Sequence, residues 1–532
     1  MGPTLKHLSS RNITIEGDSL TIPQICSVAY DNRPVNLSKK ATRQITAARA
    51  LVKKWVESGE TVYGVTTGFG EFANVRINQK DTEKLQEHLI LSHAAGAGDP
   101  LPAEIVRAMM LLRINAVAKG YSGLRLETVE LLIKMLNKNL LPVIPSQGSV
   151  GASGDLVQLA HLVLAMMGKG RVYAIGKGKT RSERIINAGI ALNRTGLKPV
   201  RLTAKEGLAL INGTQMMTAY ASLAVHHART LAKTADIASA MSVEALRGTT
   251  TPYDSRIHKL RPYVGQRNVA SNLRRMMAGS QIRESHRFND LRVQDAYSMR
   301  CIPQVHGASR DAIDYVYDKV SIEINSANDN PLIFPRDRVH LEGGNFHGQP
   351  MALAMDFLAI AMAELANISE RRIERLVNGS LSGLPKFLTE MGGLNSGLMI
   401  AQYTAASLVS ENKVLCHPAS VDSIPTSANQ EDHNSMGSIS AQKAWKVLKN
   451  AQTVLAIELL CASQGLDFAK ALNSKSGMKA GRGTETAHRY VRKFVKHLDE
   501  DRILYDDIQK SLVLVLDGNL TRNVEAEIGT LN

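Results

Sequence analysis

Apolar residues recur at helical spacing along most of the chain. This spacing predicts long helices over three stretches, residues 103–118, 351–378 and 439–461, the first of them amphipathic. A fourth long helix is predicted to begin at the sequence TAKE, Thr203 to Glu206, which has the form of a capping box. It is predicted to end near Arg247, because Gly248 is a suitable helix stop. The apolar pattern therefore indicates a protein built from long helices.

Strand signals are short and local. The sequence GKGRVYAIGKGKT, residues 168–180, predicts a small hairpin because an apolar stretch lies between Gly-Lys turns. Strands and helices do not alternate along the chain, so a doubly wound parallel sheet is not expected. The predicted fold is mainly α. It has a loop-rich N-terminal region, residues 1–200, and a long-helix bundle with a C-terminal helical region, residues 201–532.

Composition narrows the class of protein. Of the 532 residues 44% are hydrophobic and only 5% aromatic, so aliphatic residues, Met and Ala must fill the core. The four cysteines are far apart, which argues against a disulfide framework and a zinc ribbon. The 15 histidines include no HExxH spacing, so no metal site is predicted. The glycines around residue 64 do not form GxGxxG, so dinucleotide binding is not indicated.

The formal net charge of +15 raises the question of nucleic-acid binding. Lysines and arginines are interspersed with acidic residues, and no basic-aromatic run occurs. We interpret the charge as a solvated basic surface that attracts small anionic substrates, with no nucleic-acid partner. The N-terminus lacks the apolar core of a signal peptide, and acidic, basic or amide residues interrupt every long apolar segment. The prediction is a cytoplasmic protein without a membrane partner.

One Gly-rich segment, GSVGASGDLVQLAH at residues 148–161, carries candidate chemistry. Ala152, Ser153 and Gly154 are small enough for the backbone to fold tightly, and Gly154 allows conformations closed to other residues. Asp155 begins an apolar helical stretch, which places the tripeptide at a helix N-terminus with its partial positive charge. From these residues alone the segment is either a Gly-rich turn that caps a helix or a reactive site.

The sequence GSVGASGD resembles the signature of the histidine and aromatic amino-acid ammonia-lyases. The resemblance extends from about residue 63 to about residue 466 and includes further segments in the same order. These are YGVTTGFG (63–70), GLALINGTQ (207–215), VQDAYSMR (293–300), GNFHGQP (344–350) and NQEDHNSMG (429–437).

The resemblance implies a cofactor, a fold class and an assembly. In this family the tripeptide equivalent to Ala152, Ser153 and Gly154 cyclises, with loss of two waters, to 4-methylidene-imidazol-5-one (MIO). The implied fold is of the fumarase/aspartase-like class. The implied assembly is a homotetramer whose active sites each draw residues from three chains. Met- and Ala-rich helix faces in this sequence are compatible with such partners.

The resemblance also implies a role for each matching residue. Tyr63 is the expected base, and its phenol, with an ordinary pKa of about 10, would need its pKa lowered. Arg300 is the expected partner of the substrate carboxylate, because its guanidinium binds carboxylates with two hydrogen bonds. Further groups would bind the cofactor ring, the amine or the carboxylate, or would wall the site: Asn212, Gln294, Tyr297 and Phe346.

Two segments indicate the substrate. Ser92 and His93 resemble the pair of histidine-type members, and a polar pair suits an imidazole ring. Glu431 stands where phenylalanine and tyrosine enzymes usually have Gln. Elimination of ammonia from L-histidine to give trans-urocanate is therefore expected. Thr66 and the segments 325–331 and 435–441 resemble aromatic-type members, which keeps tyrosine or phenylalanine elimination and a 2,3-aminomutase open. A non-catalytic relative and a basic nucleic-acid binder are the alternatives from other classes.

Overall fold

The computed structural model describes residues 12–68, 70, 77–78, 81–174, 184–288, 290, 292–472 and 477–532. The fold is mainly α, which confirms the predicted fold class. The first seven helices lie in the N-terminal region: α1 (Ile22–Asp31), α2 (Lys39–Ser58), α3 (Thr82–His93), α4 (Ala103–Ala118), α5 (Leu126–Asn137), α6 (Leu156–Met166) and α7 (Ala188–Arg194).

The remaining helices follow in chain order. They are α8 (Glu206–Ile211), α9 (Gln215–Ala245), α10 (Ser255–Lys259), α11 (Val264–Met276), α12 (Gln281–Glu284), α13 (Tyr297–Arg300), α14 (Ile302–Glu323), α15 (Gln349–Val377), α16 (Gly379–Ser382), α17 (Met399–Leu415), α18 (Gly437–Ala471), α19 (Arg482–Arg492), α20 (Leu504–Leu516) and α21 (Asn519–Ile528). Short 3-10 turns lie at Thr251–Tyr253, Lys386–Leu388 and Ser427–Asn429.

The strands form small sheets at the edges of the helical body. They are β1 (Ile13–Ile15), β2 (Val35–Leu37), β3 (Ala97–Pro100), β4 (Leu141–Pro142), β5 (Pro145–Gln147), β6 (Arg171–Ala174), β7 (Arg184–Asn187), β8 (Leu332–Phe334) and β9 (Val339–Leu341). β1 pairs with β2 in parallel, whereas β3–β5, β8–β9 and the three-stranded order β4-β6-β7 are antiparallel. The predicted hairpin strand is β6, but its partner β7 lies beyond the predicted segment, and residues 175–183 are outside the described residues.

The core is a bundle in which α18 packs along both α9 and α15, while α4 packs against α9 and α14 packs against α15 and α9. These helices are apolar on most of their surface because they are surrounded by other helices. The same is true of α4, so the prediction that this helix is amphipathic is wrong. Inside the bundle the Arg372 guanidinium forms a two-bonded pair with Glu458, at 2.5 and 2.9 Å, and both side chains are fully buried.

The prediction of one continuous helix from the TAKE sequence to Arg247 is wrong. The backbone leaves the helix between α8 and α9, at Asn212, Gly213 and Thr214. The capping box is also incomplete. The Glu206 carboxylate accepts the Thr203 amide at 2.9 Å, but the Thr203 hydroxyl donates to that carboxylate instead of capping the helix. The break matters because it lies directly against the Gly-rich segment.

One helix among the described residues, α15, is long and apolar enough to cross a membrane by length and composition. The prediction that every apolar segment is too short is therefore wrong for this helix. The fold buries 67% of its apolar window, as a core helix of a bundle requires, so its composition is weak evidence of a membrane span. The cytoplasmic location, the absence of membrane and nucleic-acid partners, and the division at residue 200 stay predictions.

Candidate active site

The backbone of the Ala152-Ser153-Gly154 tripeptide is pressed against the break between α8 and α9. The Gly213 amide donates to the Ser153 carbonyl at 3.2 Å, and the Asp155 amide donates to the Gly213 carbonyl at 2.7 Å. Gly154 has φ +78°, and a Cβ at this position would lie 2.0 Å from the Gly213 carbonyl oxygen. Only glycine fits here, so the tight folding predicted from the small residues is present.

Four helices begin around the tripeptide. α6 begins directly after it, as predicted. The Asp155 carboxylate accepts the Met216 and Met217 amides at the start of α9, at 2.8 and 3.0 Å. The Gly348 amide, just before α15, donates to the Gly151 carbonyl, and the Met436 amide, just before α18, donates to the Val150 carbonyl. Converging helix N-termini give this region a positive electrostatic potential, which favours developing negative charge.

The tripeptide lines a cavity of about 780 Å³. Seven of the residues proposed from the sequence line it: Tyr63, His93, Ala152, Ser153, Asn212, Phe346 and Glu431. Gly154 lies in the wall behind them, buried against Gly213. Segments separated by more than 350 residues in the chain therefore meet at one site.

Glu431 contacts the tripeptide directly. The Ser153 hydroxyl donates to Glu431 Oε1 at 3.1 Å, and the Thr426 hydroxyl donates to Glu431 Oε2 at 2.7 Å. The preceding turn has left-handed φ values at Ser427, Ala428 and Asn429. Such a run of non-glycine residues is strained, and strained backbone is found where a loop must place a functional group. This loop aims a carboxylate at Ser153.

The Tyr63 hydroxyl accepts the Gly70 amide at 3.2 Å at the edge of the cavity. Burial raises the pKa of Tyr63, the Gly70 hydrogen bond opposes that shift, and the negative charge of Glu431 adds to it. The expectation that charges near Tyr63 lower its pKa is therefore wrong within a single chain. No arginine or lysine lines the described part of the cavity, so the described residues bring no cation to the phenol.

Asn212 is held by residues that the sequence patterns missed. Its carbonyl accepts two hydrogen bonds from the fully buried Arg113, at 3.0 and 2.7 Å, and its amide Nδ2 donates to the Asn330 carbonyl at 3.3 Å. That same carbonyl accepts from Lys205 Nζ at 3.2 Å, and Lys205 is paired with Asp329 at 2.9 and 3.0 Å. Burial lowers the pKa of Lys205, and Asp329 opposes that shift.

This network fixes the orientation of the Asn212 side chain. A carbonyl only accepts, so Asn212 must turn Nδ2 toward Asn330. Its Oδ1 is buried without a hydrogen-bond partner among the described residues. A buried acceptor without a donor is costly, so Oδ1 is available to a bound group. No clear sequence signal marked these residues, since Asp329 lies in the polar segment 325–331 and Lys205 is followed by Glu206.

Lys205→Met is expected to lower the free energy of unfolding by about 3 kcal/mol, because it leaves the buried Asp329 carboxylate unpaired. It should also lower turnover, since Asn330 loses a donor that holds its carbonyl. Thermal unfolding and initial rates measure the two effects. Lys233→Met is the control, because its pair with Glu525 is partly exposed and should cost less. An unchanged melting temperature in Lys205→Met would contradict a stabilising role.

Ser92 does not line the cavity. It is exposed, and its hydroxyl donates to the Leu89 carbonyl at 3.0 Å and lies 3.1 Å from His93 Nδ1. The prediction that Ser92 itself contacts the substrate is therefore wrong, because its hydroxyl is bonded back to the Leu89 carbonyl of its own helix, α3. His93 alone reaches the cavity, where burial lowers its pKa.

Gln294, Tyr297 and Arg300 lie far from the cavity of their own chain. At one end of α15 the Gly348 amide contacts the tripeptide segment. Arg372 follows 24 residues later on the same helix, and it donates to the Ser298 carbonyl in α13. A helix of that length spans about 36 Å. Tyr297 is 72% exposed and Arg300 stacks over its ring, while Arg300 also donates to Gln294. These three residues do not line the cavity of their own chain, so their place in a site shared between chains stays a prediction.

Other residues of the cavity wall were not predicted: Leu89, Leu208, Ile211, Asn330, Glu342, His347, Gln430, Asp432 and His433. His347 lies in the motif segment GNFHGQP (344–350), and its Nε2 lies 3.0 Å from the His433 carbonyl. Thr66, which resembled aromatic-type members, instead braces its own loop through the Glu60 carbonyl and the Val62 amide. Among the described residues no cluster of His, Cys, Asp or Glu has the arrangement of a metal site.

The fold and the site define the class of protein: a mainly α protein of the fumarase/aspartase-like class with a Gly-rich tripeptide at converging helix ends. The sequence profile described as "Aromatic amino acid lyase" matches residues 20–493. The chain therefore belongs to the aromatic amino acid lyase family, as the motifs predicted.

Individual relatives are similar over nearly the whole chain. A histidine ammonia-lyase of Caldanaerobacter subterraneus subsp. tengcongensis is 55% identical over 517 residues, covering 97% of this chain and 99% of that protein. The crystal structure of histidine ammonia-lyase from Trypanosoma cruzi is 45% identical, with a TM-score of 0.89 over 97% of this chain and 96% of that one. Tyrosine aminomutase from Streptomyces globisporus is 36% identical, with a TM-score of 0.89 over 98% and 100%.

Proposed function

We propose that this carbon–nitrogen lyase eliminates ammonia from L-histidine and releases trans-urocanate. The observation that carries the proposal is the meeting of Ser153, His93 and Glu431 in one cavity, with Tyr63 at its edge. An imidazole ring carries two nitrogens that form hydrogen bonds, and His93 and Glu431 are polar partners for them. The identity to histidine ammonia-lyases over nearly full length supports the same substrate.

The tripeptide fits the MIO group, which we propose as the cofactor. Ring closure joins the Gly154 nitrogen to the Ala152 carbonyl carbon, and it requires a backbone that folds back on itself without side-chain hindrance. The positive φ of Gly154 and the space-filling contact with Gly213 meet that requirement. Glu431 lies on the Ser153 hydroxyl, the oxygen lost as water. When formed, the group supplies an electrophilic methylidene carbon that makes the substrate amine a better leaving group.

The side chains of this chain perform the remaining steps. Tyr63 takes the β-proton, the electron pair of that C–H bond forms the Cα–Cβ double bond, and the protonated amine nitrogen leaves with the C–N electron pair as ammonia. Asn212 Oδ1 accepts from an N–H group of the bound substrate, and Phe346 excludes water from that side of the cavity. The helix N-termini around residue 152 stabilise the negative charge that develops there.

We propose a homotetramer in which other chains complete each site. The substrate carboxylate needs a cation, and within one chain Arg300 lies far from the cavity. Val293 is 96% exposed and Tyr297 72% exposed on the segment that carries it. Buried groups hold this segment rigid, since Tyr253 donates to the Met299 carbonyl at 2.8 Å and Arg372 donates to Ser298. A rigid, exposed, partly apolar segment is suited to insertion into a neighbouring copy.

Parallel ultraviolet assays with L-histidine, L-tyrosine and L-phenylalanine test the proposed substrate. Urocanate from histidine alone is the expected result. Product from tyrosine or phenylalanine would keep the chemistry and overturn the substrate. A β-amino acid would instead favour the aminomutase alternative, which the likeness to tyrosine aminomutase keeps as the second candidate.

Tyr63→Phe is expected to lower kcat by roughly a hundredfold to ten-thousandfold, because it removes the general base. The variant should still lose two waters in its intact mass, since Tyr63 contacts Gly70 and not the tripeptide. Steady-state rates and mass spectrometry measure the two properties. Full turnover in the variant would exclude Tyr63 as the base.

The same residue sets a pH dependence. Burial raises the pKa of Tyr63, and only its deprotonated form accepts a proton. At saturating histidine, kcat should therefore rise with pH above neutral in the wild type. The residual activity of Tyr63→Phe should lack this rise.

A further inference from the structure

The hydrogen bonds around His93 determine which ring nitrogen carries its proton. The Ser92 hydroxyl donates its only hydrogen to the Leu89 carbonyl, at 3.0 Å. Its oxygen lies 3.1 Å from His93 Nδ1 and can therefore only accept from that nitrogen. A hydrogen bond with the Leu89 carbonyl also raises the pKa of His93. In the neutral ring Nε2 is then left as a hydrogen-bond acceptor.

Neutral is the expected form of His93 near pH 7. Burial lowers its pKa, which outweighs the opposite effects of Leu89 and Glu431. His93 therefore offers an acceptor, and not a positive charge, to whatever occupies the cavity.

Glu431 is the second acceptor at the site. Its Oε2 is engaged by the Thr426 hydroxyl, and its Oε1 accepts from the Ser153 hydroxyl. Closure of the tripeptide ring removes that hydroxyl oxygen as water, so Oε1 loses its donor. The mature site then presents a free carboxylate oxygen together with His93 Nε2.

The charged groups that line the cavity also favour a protonated ring. Three carboxylates line its described wall, Glu342, Glu431 and Asp432, and no lysine or arginine does. The other titratable groups there, besides Tyr63 and His93, are His347 and His433. His347 is bonded to backbone on both ring nitrogens, to Gln349 and His433. Beside these carboxylates the lining favours a cationic ring, whereas the helix N-termini act at the tripeptide and Arg300 of another chain acts on the substrate carboxylate.

We propose, on the basis of the proposed histidine elimination, that the cavity binds the substrate ring as an imidazolium. One ring N–H donates to His93 Nε2 and the other donates to the Glu431 carboxylate. A neutral imidazole has one donor and one lone pair, so its lone pair would face one of these two acceptors. The protonated ring satisfies both, and Ser92 is a positioning residue that acts through His93.

Protonation of the ring also assists the reaction. The β-carbon is bonded to the ring, and a cationic ring withdraws electrons and makes the β-proton more acidic. Tyr63 removes that proton, the electron pair forms the Cα–Cβ double bond, and the C–N electrons leave with the nitrogen. Both ring protons stay in place, so the step balances without a further reactant.

Proton uptake on binding of urocanate to the mature enzyme tests the proposal. Calorimetric titrations in phosphate and Tris buffers at one pH give the number of protons taken up. A rise of the ring pKa from about 6.5 to about 8.5 on binding would take up about 0.8 proton per site at pH 7.5. The chemical shift of [2-13C]urocanate shows whether the proton is on the ligand ring. We expect a protonated bound ring.

Variants separate the contributions of Glu431 and Ser92 to proton uptake and to urocanate binding. Glu431→Gln should reduce proton uptake to less than half, because it removes the negative partner. Ser92→Ala should weaken urocanate binding about threefold, since one hydrogen bond on Nδ1 is lost. Ser58→Ala is the matched control, because Ser58 also donates to a helix carbonyl three residues earlier, that of Trp55, but has no histidine beside it. It should leave binding and uptake unchanged.

Each outcome bears on the proposal. Histidine turnover without proton uptake, or with a neutral bound ring, overturns the imidazolium and leaves the proposed function intact. Absence of both urocanate binding and histidine turnover overturns both. Equal uptake in wild type and Glu431→Gln would remove the carboxylate from the explanation and also contradict the proposal.

Discussion

Ser153→Ala is expected to abolish histidine turnover, by about three orders of magnitude or more, because the hydroxyl-bearing carbon is the source of the proposed electrophile. Without it the amine remains a poor leaving group, whatever Tyr63 and Asn212 do. The fold should survive, since the change removes one oxygen whose partner is Glu431 at 3.1 Å. Intact mass should show the wild type lighter than its sequence by two waters and the variant lacking that deficit.

Ser149→Ala is the matched control. Ser149 is four residues earlier, and its hydroxyl oxygen accepts the Val157 amide near the start of α6 at 3.1 Å. Its loss should cost about 1 kcal/mol of stability, as the loss of a helix cap does, but should leave the mass deficit and turnover in place. Turnover by Ser153→Ala, or a wild type with its full sequence mass and undiminished activity, would exclude the electrophile.

Mixed assemblies of two inactive variants are expected to recover activity. Arg300→Ala alone should lose at least about a hundredfold in kcat/KM, because the substrate carboxylate loses its cation. When Arg300→Ala and Ser153→Ala chains are co-expressed, some sites receive an intact tripeptide from one chain and an intact Arg300 from another. If equal amounts of the two chains assemble at random, about a quarter of the sites contain both an intact Ser153 and an intact Arg300. About a quarter of wild-type activity should therefore return.

The controls follow from the same geometry. Co-expression of Ser153→Ala with Tyr63→Phe tests whether two residues that line one cavity in a single chain also complement. Separately purified variants mixed without reassembly should stay inactive. No recovery from the Arg300 and Ser153 pair would mean that both groups act from one chain. That result would contradict the proposed assembly, since α13 and the tripeptide are joined by about 36 Å of helix.

The sequence predicted local features of the site well. The tripeptide is small, flexible and followed by a helix, and these properties depend only on neighbouring residues. Tyr63, His93 and Glu431 were recognised from short motifs and do line one cavity. Ser92 was misassigned because adjacent residues on a helix point in different directions, which a motif does not record.

The sequence alone determined the fold class and the helical content and indicated the residues proposed to carry the chemistry, because hydrophobic spacing and short motifs are local properties. Only the tertiary structure decided three things: the break at Asn212, the orientation of its amide by Lys205, Asp329 and Asn330, and the remote position of Arg300. Each depends on contacts between residues 74 to 118 positions apart, and spacing along a chain does not encode which distant segments meet.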